Sequence, residues 1–330
     1  MKNSNKKYTN NYKREVEKID KKLSKLLQGK KPESLYEPCS YILQSGGKHL
    51  RAYLVLLSTK AVGGKFSQAY NAALSAEILH NFTLVHDDIM DNADKRRGRT
   101  TLHIKYDIST AILAGDSLIA EAYKNLLKDC KINATEILKT FNNSVIEVCE
   151  GQSLDKEFEV RKNVTIPEYK IMIRKKTGAL IQMCCSIGGQ LGGGTPEEIK
   201  ALEKYGMNLG LAFQLKDDLL DIIGDAKDFG KSIGGDLVEG KKTFLLLKAL
   251  ELAKNEDKKA LQKIILNNGI KRNQINKYKK LYEKLNVLEI TEKEISKYTD
   301  MAIRALKSLK NEDIKKNLIW LANSLINRNK

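Results

Sequence analysis

The feature that most constrains this chain is an acidic motif that occurs twice. Residues 86–91 read HDDIMD and residues 216–221 read KDDLLD, so each copy holds three aspartates within five positions. Both copies lie inside apolar runs of helical periodicity, where an uncompensated carboxylate is costly or takes up a proton. The fold must therefore bring compensating positive charge to two separate helices.

The periodicity of the chain predicts an all-α protein. Between residues 12 and 27, an apolar stripe is opposed by lysines, and runs that alternate with a period of two are missing. Thr195 followed by Pro196 is typical of a helix N-terminus. Since no linker-like stretch divides the chain, we predict one domain over residues 1–330, with a lysine-rich N-terminal extension at 1–31. The stripe consists of Val16, Ile19, Leu23 and Leu26.

Composition restricts the class of protein further. The 330 residues carry a net charge of +17, which favours nucleic acid, anionic membranes or polyanionic substrates, but also fits solvated helix faces. No nucleic-acid motif is recognisable, and no apolar run approaches the ~18 residues of a membrane span. The five cysteines lack CxxC spacing and the N-terminus lacks a signal-like apolar segment, so we expect reduced thiols and a cytoplasmic protein.

The spacing within each acidic motif predicts a metal site. Asp87 and Asp91 lie one turn apart and about 40° from each other on a helical wheel, and Asp217 and Asp221 repeat this geometry. One DDxxD is expected by chance in about one chain in twenty-five of this length, and two in about one in a thousand. Oxygen-only ligands select a hard cation, Mg²⁺ first, and Mg²⁺ with few protein ligands normally carries phosphate oxygens too.

Two glycines precede the second motif on the same helical face. Gly206 and Gly210 lie within about 20° of Asp217 on the wheel. They leave room for a ligand or permit close helix packing, and the sequence does not separate these readings.

If a diphosphate accompanies the metal, basic groups should lie near the acidic helices in sequence. Four segments supply them in glycine-rich or helix-breaking contexts, where backbone N–H groups and cations can hold an anion. They are GGKHLR (46–51), KRRGR (95–99), KKTG (175–178) and GKSIGGDLVEGKKT (230–243).

At these segments the chain resembles a known family. GGKHLR, EILHNFTLVHDDIMDNADKRRG, RKKTGALI, LAFQLKDDLLD and GKSIGGDLVEGKKT are similar to the ordered motifs of the trans-isoprenyl diphosphate synthases, or short-chain polyprenyl synthetases. The resemblance runs from about residue 36 to the C-terminus. It implies an all-α, isoprenoid-synthase-type helical bundle around a central cavity, usually a homodimer.

The resemblance implies a role for each aspartate. Asp87, Asp91 and Asp217 are expected to bind a Mg²⁺ cluster together with the substrate diphosphate, and Asp88, Asp218 and Asp221 to support it through water or outer contacts.

It also implies the groups that hold the substrates. Those expected to bind the allylic diphosphate (dimethylallyl, geranyl or farnesyl) are Arg96, Lys176, Lys231 and Lys241. Those expected to bind isopentenyl diphosphate are Lys48, Arg51, His80 and Arg97. The expected catalytic residues are Lys176, Thr177, Gln214 and Lys231, with the oxygens of Thr177 and Gln214 directed at the developing allylic cation. The chain departs from the family at His49 and Ala52, where arginine and proline are usual, and neither position carries an assigned role.

Product length is expected to depend on the helix that carries the first motif. Thr83 is small and lies near Asp87 on the wheel, so it should not stop the growing chain early. Phe82 lies roughly 140° away on the wheel, but the family often has a length-limiting aromatic five residues before the first aspartate. The uninterrupted DDIMD with one aromatic before it resembles the archaeal-type geranylgeranyl diphosphate synthases. We therefore expect mainly the C20 product, with C15 as the alternative.

The expected reaction is Mg²⁺-dependent, head-to-tail condensation of isopentenyl diphosphate with allylic diphosphates. A terpene cyclase or a squalene-synthase-like enzyme shares the first motif but normally lacks the second one with GKKT downstream. A non-catalytic synthase subunit, or a basic helical nucleic-acid binder, would tolerate broken aspartate motifs, whereas all six aspartates are intact here.

Overall fold

The protein is an all-α fold, as predicted. The computed structural model describes the backbone of residues 2–224 and 233–326 and the side chains from residue 5 onward within those ranges. Helices in the first part are α1 (Lys2–Lys25), α2 (Glu33–Leu43), α3 (Leu50–Ala61), α4 (Tyr70–Met90), α5 (Leu102–Lys105), α6 (Ile108–Asp129), α7 (Ala134–Val160), α8 (Ile166–Ile173) and α9 (Ala179–Leu191). They are followed by α10 (Pro196–Ile223), α11 (Gly235–Val238), α12 (Phe244–Leu252), α13 (Asn255–Leu266), α14 (Ile275–Lys284), α15 (Val287–Ala305) and α16 (Glu312–Ile326).

Short irregular turns complete the helical segments. Arg174–Gly178 forms one π-helical turn between α8 and α9, and single 3₁₀ turns occupy Phe66–Gln68, Arg272–Gln274 and Leu306–Ser308.

A small hairpin interrupts the helices and was not predicted. Strands β1 (Lys95–Arg96) and β2 (Arg99–Thr100) pair antiparallel, with Arg96 opposite Arg99. Arg97 and Gly98 both have positive φ, 52° and 74°, as a two-residue type I′ turn requires. A pair of two-residue strands is too short for a period of two to be visible in the sequence.

Helix starts follow the sequence signals. Thr195 caps α10 as predicted: its hydroxyl accepts from the N–H of Glu198 at 3.3 Å, and the Glu198 carboxylate accepts from the Thr195 N–H at 3.0 Å. On α1, Ile19 and Leu23 of the predicted stripe are fully buried, while Leu26 lies beyond the helix end. Pro196 is tolerated at the first helical position because a backbone N–H there would have no partner within the helix.

Packing contacts divide the chain into two compact units. Unit 1 comprises residues 1–141, 184–202 and 308–320, and unit 2 comprises residues 142–183, 203–307 and 321–330. One domain over residues 1–330 stays a prediction.

The core of unit 1 is built around α4. This helix packs most extensively on α6 and also on α3. The face of α6 toward α4 is lined by small residues, Ala111, Ala114, Gly115 and Ala122, all buried, which lets the two backbones approach closely. A Cβ at Gly115 would come within 2.2 Å of the His86 ring. The first acidic motif is therefore held on a tightly packed helix.

Unit 2 has its own apolar core. Buried side chains of α8, α10, α12, α14 and α15 form one cluster, with α12 in contact with α8, α13 and α15. The cluster includes Leu215, just before the second acidic motif on α10, and Leu219 within it. This motif is thus also carried by a buried helix.

No helix in the described ranges combines the length and the apolar character needed to cross a bilayer. The five cysteines, all in the described ranges, form no disulfide: Cys39, Cys184 and Cys185 are buried, Cys130 is half-buried and Cys149 is exposed.

Candidate active site

The first aspartate motif lies at the C-terminal end of α4. Asp91 is exposed and Asp87 is half-buried, whereas Asp88 is buried. The Nε of Arg96 donates to Asp88 at 2.6 Å. Burial raises the pKa of Asp88, and the charge and hydrogen bond of Arg96 offset this only in part. Asp88 therefore contacts a protein cation, and the two more accessible carboxylates flank it.

The GGKHLR segment forms a loop and the start of a helix beside this motif in unit 1. Gly46 and Gly47 have φ of 65° and 156°. Because α3 begins at Leu50, Lys48 precedes the helix, and only Arg51 lies in its first turn. The Arg97 guanidinium crosses to the loop and donates to the Ser45 hydroxyl at 3.1 Å and to the Gly46 carbonyl.

His80 lies within this basic group. Burial lowers the pKa of His80 well below its usual value, and the charges of Arg51, Arg97 and Arg96 lower it further. The imidazole is therefore neutral near pH 7 and can donate one hydrogen bond without adding charge. Unit 1 thus brings Arg51, His80 and Arg97 within electrostatic reach of one another, with Lys48 on the adjoining loop.

The second aspartate motif is buried more deeply. Asp218 is only 5% exposed and accepts from the Tyr169 hydroxyl and from Gln214 Nε2 at 3.0 Å. Burial first, and then the charges of Asp217 and Asp155, raise the pKa of Asp218 to about 6. Its partners are neutral, so they orient the carboxylate without cancelling its charge.

Asp221 is held by backbone groups. It is 8% exposed and accepts from the N–H groups of Gly235 and Asp236, at 3.2 and 3.1 Å. Burial raises the pKa of Asp236 well above its usual value, and the charges of Asp218 and Asp221 raise it further. Asp217 is half-buried on the same helix. Several carboxyl groups therefore lie close together around this motif.

The π-helical turn presents Thr177 and Lys176 to the second motif. The Thr177 hydroxyl donates to Gln214 Oε1 at 2.8 Å, which extends the hydrogen-bond chain to Asp218. Lys176 Nζ donates to Asp155 at 2.6 Å. A Cβ at Gly151 would come within 2.2 Å of the Lys176 backbone, so glycine on α7 permits this close approach.

Lys241 and Lys231 are the other basic residues predicted to bind the allylic diphosphate. Lys241 pairs with Glu239 at 2.8 Å, and its charge also acts on Asp236. Lys231 lies outside the described residues.

The structure separates the ligand-space and packing interpretations at one of the two α10 glycines, Gly210. A Cβ at Gly210 would come within 2.7 Å of the Gly178 Cα. Gly210 therefore allows close packing of α10 against the π-helical turn, which favours the packing interpretation at this position.

The predicted length-limiting residues lie on α4 before the first motif. Phe82 and Thr83 are both half-buried. The Phe82 ring packs edge-on against the His86 ring, with centroids 4.7 Å apart, and the Thr83 hydroxyl donates to the His80 carbonyl at 2.8 Å. Since His86 also abuts Gly115, Phe82 belongs to a packed aromatic pair.

Three residues near the second motif were missed from the sequence: Asp155, Tyr169 and Asp236. Asp155 and Gly151 are one turn apart on α7, a small and an acidic residue on one face, which was the available signal. Asp236 lies within a segment already identified as glycine-rich and basic. Tyr169 had no local signal, because its partner Asp218 is 49 positions away.

The donor chemistry fits a hard divalent cation. Among residues 2–224 and 233–326, no three His, Cys, Asp or Glu side chains are arranged as a metal site by themselves. The groups at both motifs are nevertheless oxygen donors, and around Asp218 burial and, after it, a surplus of carboxylates raise the pKa values of Asp218 and Asp236. A divalent cation is the charge that such a surplus favours.

Comparison with known proteins gives one consistent result. The polyprenyl synthetase family model matches residues 32–285. A short chain isoprenyl diphosphate synthase from Methanocaldococcus jannaschii is 42% identical over 262 residues, 79% of either chain. A geranylgeranyl diphosphate synthase from Sulfolobus acidocaldarius is 37% identical over 98% of this chain and 99% of that one.

Structural similarity extends over nearly the whole chain. The crystal structure of a geranylgeranyl pyrophosphate synthetase from Pyrococcus horikoshii matches with a TM-score of 0.91 at 36% identity, covering 98% of this chain and 99% of that chain. The family depends on divalent metal ions and acts on prenyl diphosphates, in agreement with the oxygen donors and basic groups described above. The chain therefore belongs to the polyprenyl synthetase family and is a prenyltransferase.

Proposed function

We propose that the protein condenses isopentenyl diphosphate head-to-tail with dimethylallyl, geranyl and farnesyl diphosphates, and that its main product is geranylgeranyl diphosphate (C20). The observation that carries the proposal is that two intact aspartate motifs each have diphosphate-binding chemistry in their own unit. The similarity to synthases named for the C20 product supports the product length.

The metal ion is proposed to be Mg²⁺. Asp87, Asp91 and Asp217 are the proposed ligands, because they are more accessible than the buried carboxylates beside them. Asp88, Asp218 and Asp221 are proposed to orient the site, since each already accepts hydrogen bonds from the protein. When bound, Mg²⁺ supplies positive charge to the diphosphate that leaves.

The allylic diphosphate is proposed to contact Arg96, Lys176, Lys231 and Lys241. These cations stabilise the negative charge that develops as the allylic C–O bond breaks and pyrophosphate departs. Lys176 is held at 2.6 Å from Asp155, which fixes its direction. The oxygens of Thr177 and Gln214, already joined by a hydrogen bond, are proposed to face the positive charge of the allylic cation.

Isopentenyl diphosphate is proposed to bind Lys48, Arg51, His80 and Arg97. The basic group in unit 1 supports this, since two guanidinium groups and a neutral imidazole suit one diphosphate. The double bond of this substrate attacks the allylic cation, a C–C bond forms, and a proton leaves the new cation. Released pyrophosphate is the proposed proton acceptor, and holding both substrates in one orientation supplies much of the rate.

Phe82 is proposed to limit the product at C20. Its ring packs against the His86 ring, which in turn lies against Gly115 of α6. An aromatic side chain held in place by packing blocks a growing prenyl chain more effectively than a mobile one. This supports Phe82 over Thr83.

We also propose a homodimer and a cytoplasmic location. Ile108 and Ile112 lie one turn apart on α6, and together with Leu113 and Ile104 they are 42–60% exposed. An exposed group of large apolar side chains suits burial against a second copy. Five cysteines in the described residues without a disulfide suit a reducing compartment. Sedimentation of Ile108→Lys tests the dimer, with a monomer as the expected result.

Release of pyrophosphate tests the reaction class. With Mg²⁺, release should require an allylic diphosphate and isopentenyl diphosphate together. Release from an allylic diphosphate alone would indicate a cyclase or a head-to-head synthase. An absence of release under all conditions would indicate a non-catalytic subunit.

A further inference from the structure

Helix α1 contacts the GGKHLR loop at two consecutive residues. The Tyr12 hydroxyl donates to the carbonyl of Lys48, and about two turns further along α1 Asp20 contacts His49 Nε2 at 2.6 Å. Tyr12 is itself fixed by an edge-on contact with Tyr53, at 5.0 Å between ring centroids. The N-terminal extension is thus attached to the segment that holds Lys48 and Arg51.

His49 is buried between two carboxylates. Its Nδ1 lies 2.9 Å from Glu77 Oε2, opposite the contact of Nε2 with Asp20, and its side chain is 2% exposed. Both ring nitrogens can donate only when the imidazole is protonated. Burial lowers the pKa of His49, but Glu77 and Asp20 outweigh it and raise the pKa above its usual value. His49 therefore acts as a buried cation.

The two carboxylates also act on the cations proposed to bind diphosphate. Burial raises the pKa of Glu77, but the hydrogen bond and charge of His49 lower it, and the charge of Arg51 lowers it further. The net shift is downward. Burial lowers the pKa of Arg97, and the negative charges of Glu77 and Asp20 oppose this shift. The other oxygen of Glu77 accepts from the Ala52 N–H at 3.0 Å, so this carboxylate also anchors the first turn of α3.

The loop backbone needs this support. His49 has φ of 42° and ψ of 38°, the left-handed conformation, which is unfavourable for a residue other than glycine. Such a conformation persists only when its surroundings hold it. Because Lys48 and Arg51 lie on either side of His49, a change at this residue would redirect both side chains.

We propose that Tyr12, Asp20 and His49 are positioning residues for isopentenyl diphosphate binding, through which α1 holds Lys48 and Arg51 in place. The inference rests on the proposed function, which assigns Lys48, Arg51, His80 and Arg97 to this substrate. None of the three positioning residues needs to touch substrate. The lysine-rich extension, outside the motifs that carry the family resemblance, thereby gains a role in the reaction.

Asp20→Asn tests the proposal, with Glu17→Gln as its matched control. Glu17 is an exposed acidic residue on the same helix, so both variants remove one negative charge from α1. We expect Asp20→Asn to raise the KM for isopentenyl diphosphate by about 5–10-fold, the loss of one charge-assisted hydrogen bond. The KM for farnesyl diphosphate should change less than about twofold, and Glu17→Gln should change neither.

His49 variants separate positioning from plain stability. His49→Arg keeps a cation between the two carboxylates and should retain a KM for isopentenyl diphosphate within about threefold of wild type, whereas His49→Ala should raise this KM at least as much as Asp20→Asn does. Tyr12→Phe, which keeps the ring packing, covers the case in which His49→Ala fails to fold. The inference is overturned if Asp20→Asn and Tyr12→Phe change both KM values equally or neither. If wild type shows no turnover of isopentenyl diphosphate, the proposed function fails instead.

Discussion

The two aspartate motifs have the same sequence pattern but opposite surroundings. In unit 1, Asp88 is paired with Arg96. On the same helix, burial and the charges of Arg51 and Arg97 lower the pKa of His80. In unit 2, Asp218 and Asp221 are held by a hydroxyl, an amide and backbone N–H groups, and the carboxyl groups of Asp155 and Asp236 lie near them. The buried Asp88 of the first motif is thus paired with a cation, whereas the hydrogen bonds described above hold Asp218 and Asp221 of the second through neutral groups, and Lys176 nearby is paired with Asp155.

This difference separates what each motif needs from outside. A carboxylate beside a guanidinium is stable without a ligand, whereas buried carboxylates beside other carboxylates favour an added cation or a proton. We therefore expect the second motif to depend more strongly on the metal ion, and the first to depend on the basic groups that surround it.

The largest effect should come from removing a proposed ligand at either motif. Asp87→Ala and Asp217→Ala should each lower kcat by at least ~100-fold, since a contact to transition-state charge is lost. EDTA should abolish turnover in wild type. Asp300→Ala, an exposed aspartate on α15, serves as the control. Near-normal turnover in either ligand variant would contradict the metal-site proposal.

A smaller effect is expected from loosening the second motif alone. Tyr169→Phe removes the hydroxyl donor to Asp218 and should lower kcat by about tenfold, the value of one hydrogen bond to a charged group. Tyr278→Phe removes a hydroxyl that donates to the Ala260 carbonyl at 3.2 Å and should leave kcat unchanged. Equal losses in the two variants would indicate damage to the unit 2 core rather than to the site.

The helices of the motifs differ five residues before their first aspartate, where α4 has Phe82 and α10 has the buried Ala212. Phe82→Ala should lengthen the main product by at least one isoprene unit, each of which uses about one helical turn, ~5 Å. Chromatography of the dephosphorylated products gives the result. An active variant whose product is no longer than that of wild type would assign Phe82 to packing with His86 alone.

The smallest effect concerns the pH dependence of stability in unit 1. The raised pKa of His49 stabilises the fold fully below the unfolded value of 6.5, and this contribution is lost as the pH rises through the folded pKa. The lowered pKa of Glu77 stabilises it above 4.5, with loss as the pH falls through its folded pKa. Asp20, Arg51 and Arg97 are the other charged groups of this cluster.

His49→Arg isolates the alkaline part of this dependence. The free energy of unfolding of wild type, from urea titrations, should fall above neutral pH more steeply than that of His49→Arg, because arginine stays charged. Parallel curves for the two proteins would show that His49 is not protonated in the folded state.

Much of this architecture follows from local sequence. The apolar stripe of α1, the Thr195 cap and the helical setting of both aspartate motifs depend on residues within a few positions of one another, so periodicity and capping signals were sufficient. The start of α3 at Leu50 was harder to predict from the sequence. The left-handed His49 before it is held by Asp20 and Glu77, which are distant in sequence.

The arrangement around the motifs could not be predicted in the same way. Tyr169, Asp155 and Asp236 reach the second motif only through folding, and the spacing of DDLLD carries no information about them. The hairpin at Arg97 and Gly98 also depends on a distant loop, since the Arg97 guanidinium donates to Ser45 and Gly46. Sequence patterns thus identify candidate site residues, whereas the partners that surround them become visible only in the folded structure.

The products formed from isopentenyl and dimethylallyl diphosphates with Mg²⁺ test the central claim most directly. After dephosphorylation, mass spectrometry should show a linear C20 prenyl alcohol as the main species and C15 as a minor one, because each condensation adds five carbons to the allylic end. A cyclic hydrocarbon, a head-to-head product or the absence of any elongated chain would contradict the proposed reaction. A product that ends at C15 would contradict the proposed chain length alone.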